Sequence, residues 1–521
     1  MFDLERIASI DSFHRGERLA QGPALTSAAE PASGPTSPTF FADWIPVVAT
    51  GAAFFMIVLD SSIVNLAVAR IGTELNAGIA TLQWLVDGYA LVFASLLLGA
   101  GALGDRFGAK GTFMCGLLVF TLASALCGMA PSIEVLQISR VVQGIGAALL
   151  LPNSLAALNN SFSDPPRRSK AIAAWATAGA LGVALGPVLG GLLVQAFGWR
   201  SIFFVNVPVG LLAVWLTQRH IPKGPHDRSR SLDTLGQLLA VATLATLTYA
   251  LIGISHATST TLWSWISGAA CVVFGISFIA VEAGQSSPML PLPLLRRRTL
   301  GPVALVGLLH NVSIYGLIFV LSLSFQRLRG LTPLSAGLLF LPLTLALAIG
   351  TRVGALVLRK YGPFRALIRG HFVAAIGALI LTFLGHDLTP ASLALPLVVI
   401  GAGGGITTPA MSLAVLDSVE RTQGGLASGI LNSARQAGGV IGVALLGALL
   451  GEPATSAGAQ AAEYVAAGVL CLASGLALAA SRDWRSTSLA DRIGRLTEPR
   501  QPPMSARLQL SRPTRPIPPA G

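Results

Sequence analysis

TLQWLVDGYALVFASLLLGAGALGDRFGAKGTFMCGLLVFTLASALCGMA, residues 81–130, decides the fold. Two apolar stretches, 81–103 and 111–130, flank the short charged turn Asp105-Arg106-Phe107-Gly108-Ala109-Lys110. A helix needs about 20 apolar residues to cross the hydrocarbon core of a bilayer, and each stretch has that length. Backbone in lipid must satisfy its own hydrogen bonds, so both stretches are expected to be transmembrane helices. Gly108 permits the positive φ of so tight a turn, Asp105 can cap a neighbouring helix, and Arg106 and Lys110 pin the turn to the cytoplasmic side. Taken alone, the turn is no more than a topological anchor.

Carried outward, the same reading finds fourteen such runs, near 44–66, 81–103, 111–130, 133–157, 170–196, 200–218, 232–254, 262–283, 300–325, 333–357, 365–385, 391–416, 425–450 and 459–480. The seventh and eighth are the weakest and leave a re-entrant pair as the alternative. Composition agrees with a chain that lives in lipid. Hydrophobic residues make up 53% and charged ones 11%, where soluble proteins carry roughly 25% charge. The mean hydropathy is +0.69. A formal net charge of +12 does not point to nucleic acid, because the basic residues sit in short segments between apolar runs. With the N-terminus inside, sixteen Lys and Arg residues between Arg106 and Arg421 fall in inner loops, and only Arg70, Arg200, Arg327 and Arg329 in outer ones. An even helix number then places the C-terminus inside as well. The N-terminal segment up to Phe40 lacks the apolar core of a cleaved signal. The tail after Ser481, with eight arginines, is expected to be disordered and drawn to the anionic inner leaflet. Cys115, Cys127, Cys271 and Cys471 lie in apolar runs without metal-ligand spacing, so neither a metal nor a disulfide framework is expected.

The chain repeats itself. Gly144-Ile145-Gly146 precedes Pro152 as Gly401-Ala402-Gly403 precedes Pro409, at an offset of 257 residues. Asp105-Arg106-Phe107-Gly108 has a weaker echo in Arg359-Lys360-Tyr361-Gly362, at an offset of 254. Such a spacing fits eight helices rather than six. The expected organisation is a cytoplasmic segment 1–43, a six-helix bundle 44–218, a linker 219–298 with two inserted helices, a second six-helix bundle 299–480 and a basic tail 481–521, with a transport site between the halves.

Ionisable groups inside a membrane cost roughly 2.5–3.5 kcal/mol on insertion scales, so each calls for a reason. Counting about 1.5 Å of rise per residue puts Asp60, Asp87 and Arg140 at nearly one depth in the outer third of the bilayer. There opposite charges neutralise each other, and a further carboxylate can carry a proton. A structural ion pair, with Asp87 merely near the headgroups, is the plainer alternative. In the fifth helix Gly182, Gly186, Pro187, Gly190 and Gly191 put small residues along one face and add a bend, which suits close helix packing. In the second half His310 and Asn311 are polar candidates for a cavity. Arg435 either faces that cavity or, the slightly favoured reading, reaches the inner headgroups. Gly401 to Gly405 lies in an apolar helix with no preceding strand and reads as packing rather than a nucleotide loop. A phosphate-binding loop, a metal cluster and a nucleophile set are all missing from the sequence, which argues against an ATP-driven pump or a membrane enzyme.

Five segments carry a family resemblance. Gly101 to Lys110 looks like the loop signature of the major facilitator superfamily, and Arg140-Val141-Val142-Gln143-Gly144-Ile145-Gly146 resembles its fourth-helix signature. Gly182-x-x-x-Gly186-Pro187-x-x-Gly190-Gly191 matches the fifth-helix pattern of its antiporters. Leu59-Asp60-Ser61-Ser62-Ile63-Val64-Asn65 and Trp199 to Pro208 are similar to stretches of the fourteen-helix drug:proton antiporters, the EmrB/QacA type. The resemblance spans roughly residues 44–480. It implies an all-α membrane protein of the major facilitator fold with both termini cytoplasmic in the inner membrane, exporting small organic molecules against protons by alternating access, without a cofactor. It also implies that the chain works as a monomer, and it leaves room for a periplasmic adaptor protein. By the same resemblance Arg140 assists proton transfer and Asp60 serves proton or substrate coupling; the candidate coupling set is Asp60, Asn65, Asp87, Arg140 and Gln143, with Asp87 included for its depth. Gly101, Asp105, Arg106, Gly108 and Lys110 form a conformational latch, and the glycines of the fifth helix seal the interface between halves. Three departures stand out: Ala69 where the first-helix motif has proline, Leu397 where the repeat would place a second Arg140, and Arg359 where the second loop would have aspartate. Proton-coupled uptake by a symporter or facilitator is the alternative, as is export of one endogenous metabolite or antibiotic.

Overall fold

A computed structural model describes residues 40–228, 231–254, 261–285, 288–384, 389–420 and 423–497. Expectations for the N-terminal segment before residue 40 and for the tail beyond residue 497 therefore lie outside the described residues. The described residues from Trp44 onward belong to one compact unit.

Fourteen helices among the described residues are long and apolar enough to cross a membrane. They are α1 (Trp44–Glu74), α2 (Ile79–Phe107), α3 (Ala109–Met129), α4 (Ile133–Ser161), α5 (Pro165–Phe197), α6 (Ser201–His220), α7 (Thr234–Gly253), α8 (Leu262–Gly284), α9 (Leu300–Leu328), α10 (Pro333–Tyr361), α11 (Pro363–Phe383), α12 (Ala391–Leu416), α13 (Gly424–Leu450) and α14 (Ser456–Arg482). The seventh and eighth, left open as a re-entrant pair, are continuous helices long and apolar enough to cross.

Several helices outrun their apolar stretch because polar groups support the extra turns. α1 continues to Glu74, where Arg70 pairs with Glu74 one turn on at 2.7 Å and the indole of Trp199 donates to the same carboxylate at 2.8 Å. Two spans are interrupted. α6 breaks at Val205, and α10 breaks at Phe340, just before Pro342, whose missing N–H cannot continue the ladder. α9 ends in a π-turn over Ser324–Leu328.

The repeat is visible in the packing. Gly144 lies against the backbone of α2 at Tyr89 and Gly146 against α3 at Phe120. Their counterparts Gly401 and Gly403 lie against α10 at Leu343 and α11 at Gly370 and Ala374. Each partner is thus displaced by eight helices, as six plus two inserted plus six requires. The glycines of 401–405 serve close helix contact, as expected from the sequence.

The halves meet along α2 with α13 and along α5 with α10. Hydrogen bonds between them cluster at the end of the bundle that carries the α1–α2 turn. Ser322 donates to the Asn65 carbonyl (2.5 Å), and Gln83 to the carbonyls of Val443 and Ala444 (2.8 and 2.9 Å). The Ile79 N–H, at the start of α2, donates to Glu452 (3.0 Å). This end is closed. α7 packs on α8, α2 and α13, and α8 turns Trp265, Val272 and Ile276 outward.

Candidate functional site

Asp60 and Arg140 are joined inside the first half, 0% and 1% exposed, with Arg140 Nη1 2.5 Å from Asp60 Oδ2. The pair is not isolated. Gln143 donates to Asp60 Oδ1 (2.9 Å) and to Ser124 Oγ (2.8 Å), and it accepts from Arg140 Nη1 (2.7 Å). Asn206 adds a second donor to Asp60 Oδ1 at 3.1 Å. The Arg140 guanidinium lies over the Tyr89 ring, 4.1 Å from its centroid, a cation–π contact that strengthens away from water. One carboxylate, one guanidinium and two amides from α1, α4 and α6 thus form a single network. The i, i+3 spacing of Arg140 and Gln143 puts both on one face of α4. The break at Val205 places Asn206 at the start of a helical segment beside them.

Asp87 is buried too, but among the described residues neither of its oxygens has a hydrogen-bond partner. It shares a face of α2 with Gln83, one turn earlier, whose side chain reaches α13. The three charged residues expected at one depth therefore separate into a bonded pair and a lone acid.

A cavity lies between the halves, with about 950 Å³ of space not filled by atoms, part of it open to solvent. α1 supplies Ser61, Ser62 and Asn65, and α5 supplies Pro187. From the second half come His310, Asn311 and Tyr315 of α9, Thr344 of α10, Thr408 of α12 and Arg435 of α13. Asp60 is not among the lining residues. It faces the interior of its own half, while Ser61 and Asn65 on another face of α1 meet the cavity. Arg435 turns to the cavity, away from the headgroup position slightly favoured by its sequence context. The rings of His310 and His371 meet edge to face at 5.2 Å.

The other expected sites are placed as follows. Gly108 has φ +94° at the α2–α3 turn. Lys110 donates to the carbonyls of Gln218 and Ile221 at the end of α6 (3.0 and 2.6 Å), so it caps a helix as well as anchoring the turn. The Asp105 carbonyl accepts from the Asp227 N–H (2.8 Å), and Gly101 and Gly104 lie against Pro152 and Asn153 of α4. Arg106 stands over the Phe107 ring at 5.5 Å. In α5, Gly182, Gly186 and Gly190 face α1 of the same half, at Leu59, Ser62 and Ile63. Gly191 touches Pro333 and Leu334 of the second half, and Pro187 touches Gly337. The i, i+4, i+8 glycine face therefore holds a half together, and its flank makes the seal.

Sequence reasoning left Asn206 and Ser124 without a role. Asn206 sat inside a quoted motif as a polar residue in an apolar run, which is a signal. Ser124 gives none, since a lone serine in a transmembrane helix usually bonds its own backbone.

The sequence pattern of the Major Facilitator Superfamily matches residues 50–443. The chain is similar to the methylenomycin A resistance protein of Streptomyces coelicolor, 33% identical over 459 residues that cover 87% of this chain and 94% of the relative. It is similar to the multidrug resistance protein Stp of Mycobacterium tuberculosis, 34% identical over 414 residues that cover 78% and 75%. Among solved structures, the POT family transporter PepTSo matches in fold, with a TM-score of 0.64 at 15% identity, over 86% of this chain and 99% of its own. With fourteen membrane-capable helices and these relatives, the chain is a multi-pass membrane protein of the Major Facilitator Superfamily, on the drug-efflux side of that family.

Proposed function

We propose that this chain is a proton-coupled exporter of small organic molecules, working by alternating access as a single chain with both termini cytoplasmic. The observation that carries the reading is the position of Asp60: bound to Arg140 behind the cavity wall, on the same helix whose other face lines the cavity. Protonating Asp60 removes one charge of a buried pair and leaves Arg140 without its countercharge, which is strongly unfavourable unless the helices rearrange. α1 carries that rearrangement to Ser61, Ser62 and Asn65. Charge at one face of a helix is thereby converted into cavity geometry at the other. With the closed end outward, the cavity faces the cytoplasm, the state in which an exporter loads. A proton driven inward by about 100 mV supplies ~2.3 kcal/mol per charge. The relatives' names, resistance proteins for an antibiotic and for several drugs, support drugs or antibiotics as the cargo class.

The test is flux in everted membrane vesicles energised to an acidic interior and loaded with a pH-sensitive dye. Drugs chosen from a growth-inhibition panel in an efflux-deficient host should collapse the gradient with the parent protein. Asp60→Asn should insert normally yet reduce the signal to background. If Asp60→Asn collapses the gradient and exports at the parent rate, the proposal fails at this residue. Uptake into right-side-out vesicles, driven by an inward proton gradient, would favour a symporter instead.

A further inference from the structure

Arg435 occupies an unusual position for a cation in a membrane protein. Its stem packs over Gly307 of α9, where the absent side chain leaves room for it, and its head belongs to the cavity wall. The Nε is buried and unpartnered, and among the described residues the guanidinium has no ion pair and no hydrogen bond. Arg140, the other deeply placed arginine, has Asp60. Among the described residues that line the cavity there is no carboxylate at all. A full positive charge thus looks into a cavity whose remaining polar groups are neutral hydroxyls, amides and an imidazole. Elsewhere the wall is apolar, with Leu66, Ile314 and Phe340.

We propose that the cavity takes amphipathic organic anions, with an apolar body against the α1 and α10 walls and a carboxylate paired with Arg435, beside Asn311 and His310. This rests on the exporter reading above and adds the charge class of its cargo. A guanidinium offers a planar pair of donors matched to the two oxygens of a carboxylate, and Asn311 supplies a further donor. An organic cation of the same size would meet Arg435 with nothing on the wall to offset the repulsion. Desolvating Arg435 on closure of the cavity strengthens the pairing with an anion and worsens the encounter with a cation.

The experiment uses the purified full chain in detergent and three probes of one shape: 1-naphthoate, 1-naphthamide and 1-naphthylmethylammonium. Binding is read by competition and by thermal stabilisation at pH 7. The carboxylate should bind at least about tenfold more tightly than the ammonium, the size expected of one charge-assisted hydrogen-bonded pair. Arg435→Gln should abolish that preference, and Arg435→Lys, which keeps the charge without the fork, should retain part of it. Asn311→Asp, which adds a carboxylate to the wall, should shift the preference toward the ammonium and serves if Arg435→Gln does not fold. Equal or tighter binding of the ammonium by the parent chain overturns the proposal, as does a full carboxylate preference in Arg435→Gln. Either result leaves the exporter reading standing if proton-driven flux of other drugs persists; loss of that flux in the parent chain sinks the exporter reading instead.

Discussion

Asp60, Asp87 and Arg140 show how far a single residue can be read before its neighbours are known. Rise per residue gives the depth of a side chain and says nothing of its azimuth, so three charges at one depth were legible while their pairing was not. The structure resolves it: Asp60 holds Arg140, Gln143 and Asn206, and Asp87 stands with both oxygens unpartnered. Opposite outcomes follow for two substitutions. Arg140→Ala strands the Asp60 carboxylate among buried groups and should cost about 3–5 kcal/mol of stability. Asp87→Asn replaces a buried carboxyl that has no hydrogen-bond partner among the described residues with a neutral amide of the same shape, so its melting temperature in detergent should equal or exceed that of the parent. Its export driven by a pH gradient should weaken less than that of Asp60→Asn. A loss of stability in Asp87→Asn as large as in Arg140→Ala would mean that Asp87 is held by a group in another state of the protein. The cavity side of Arg435 was hidden for the same reason, since the sequence places it eleven residues beyond Gly424, near the middle of α13, without saying which way its side chain turns.

At the scale of the element, α5 separates two jobs that its glycine pattern merges. A Cβ on Gly190 would come 2.6 Å from Ile63 of α1, inside one half, while on Gly191 it would come 2.5 Å from the Pro333 carbonyl and 2.8 Å from Leu334 Cα in the other half. Gly190→Val should therefore lower expression and melting temperature. Gly191→Val should fold but prevent the closed end from closing. Spin labels at Thr73 and Ser456, both exposed at that end, should report a longer distance in Gly191→Val than in the parent, with cysteines introduced in a cysteine-free background. An unchanged distance would show that the contact is not needed for closure. The periodicity of the glycines is a sequence property, and the face was legible from it. The partner is a tertiary property, and so is the break at Val205 that presents Asn206; neither leaves a mark in hydropathy.

For the whole molecule, the count of fourteen and the six-two-six order were legible because lipid imposes a fixed length on every span and because a duplicated half keeps its close-packing glycines. Orientation rests on the charge of the loops. Reporter fusions after Pro225 and Arg298 should read cytoplasmic, and a cysteine at Asn76 should react with an impermeant maleimide added outside intact cells. Labelling of Asn76→Cys only after permeabilisation would invert the scheme.

The inserted pair was expected as an addition to the duplicated plan, and its seating has a mechanical consequence. Val241, Leu244 and Ala245 of α7 pack against Leu91 and Val92 of α2 and against Val440 of α13, so one helix leans on both halves at once. Rocking that parts α2 from α13 must slide α7 along at least one of them. Gln237 fills the space above Gly99 of α2, which seats the helix in the first half, and the contact with Val440 is aliphatic and without direction. If the halves rock, the hairpin should therefore ride with the first half as a bearing, its aliphatic contact at Val440 slipping along α13.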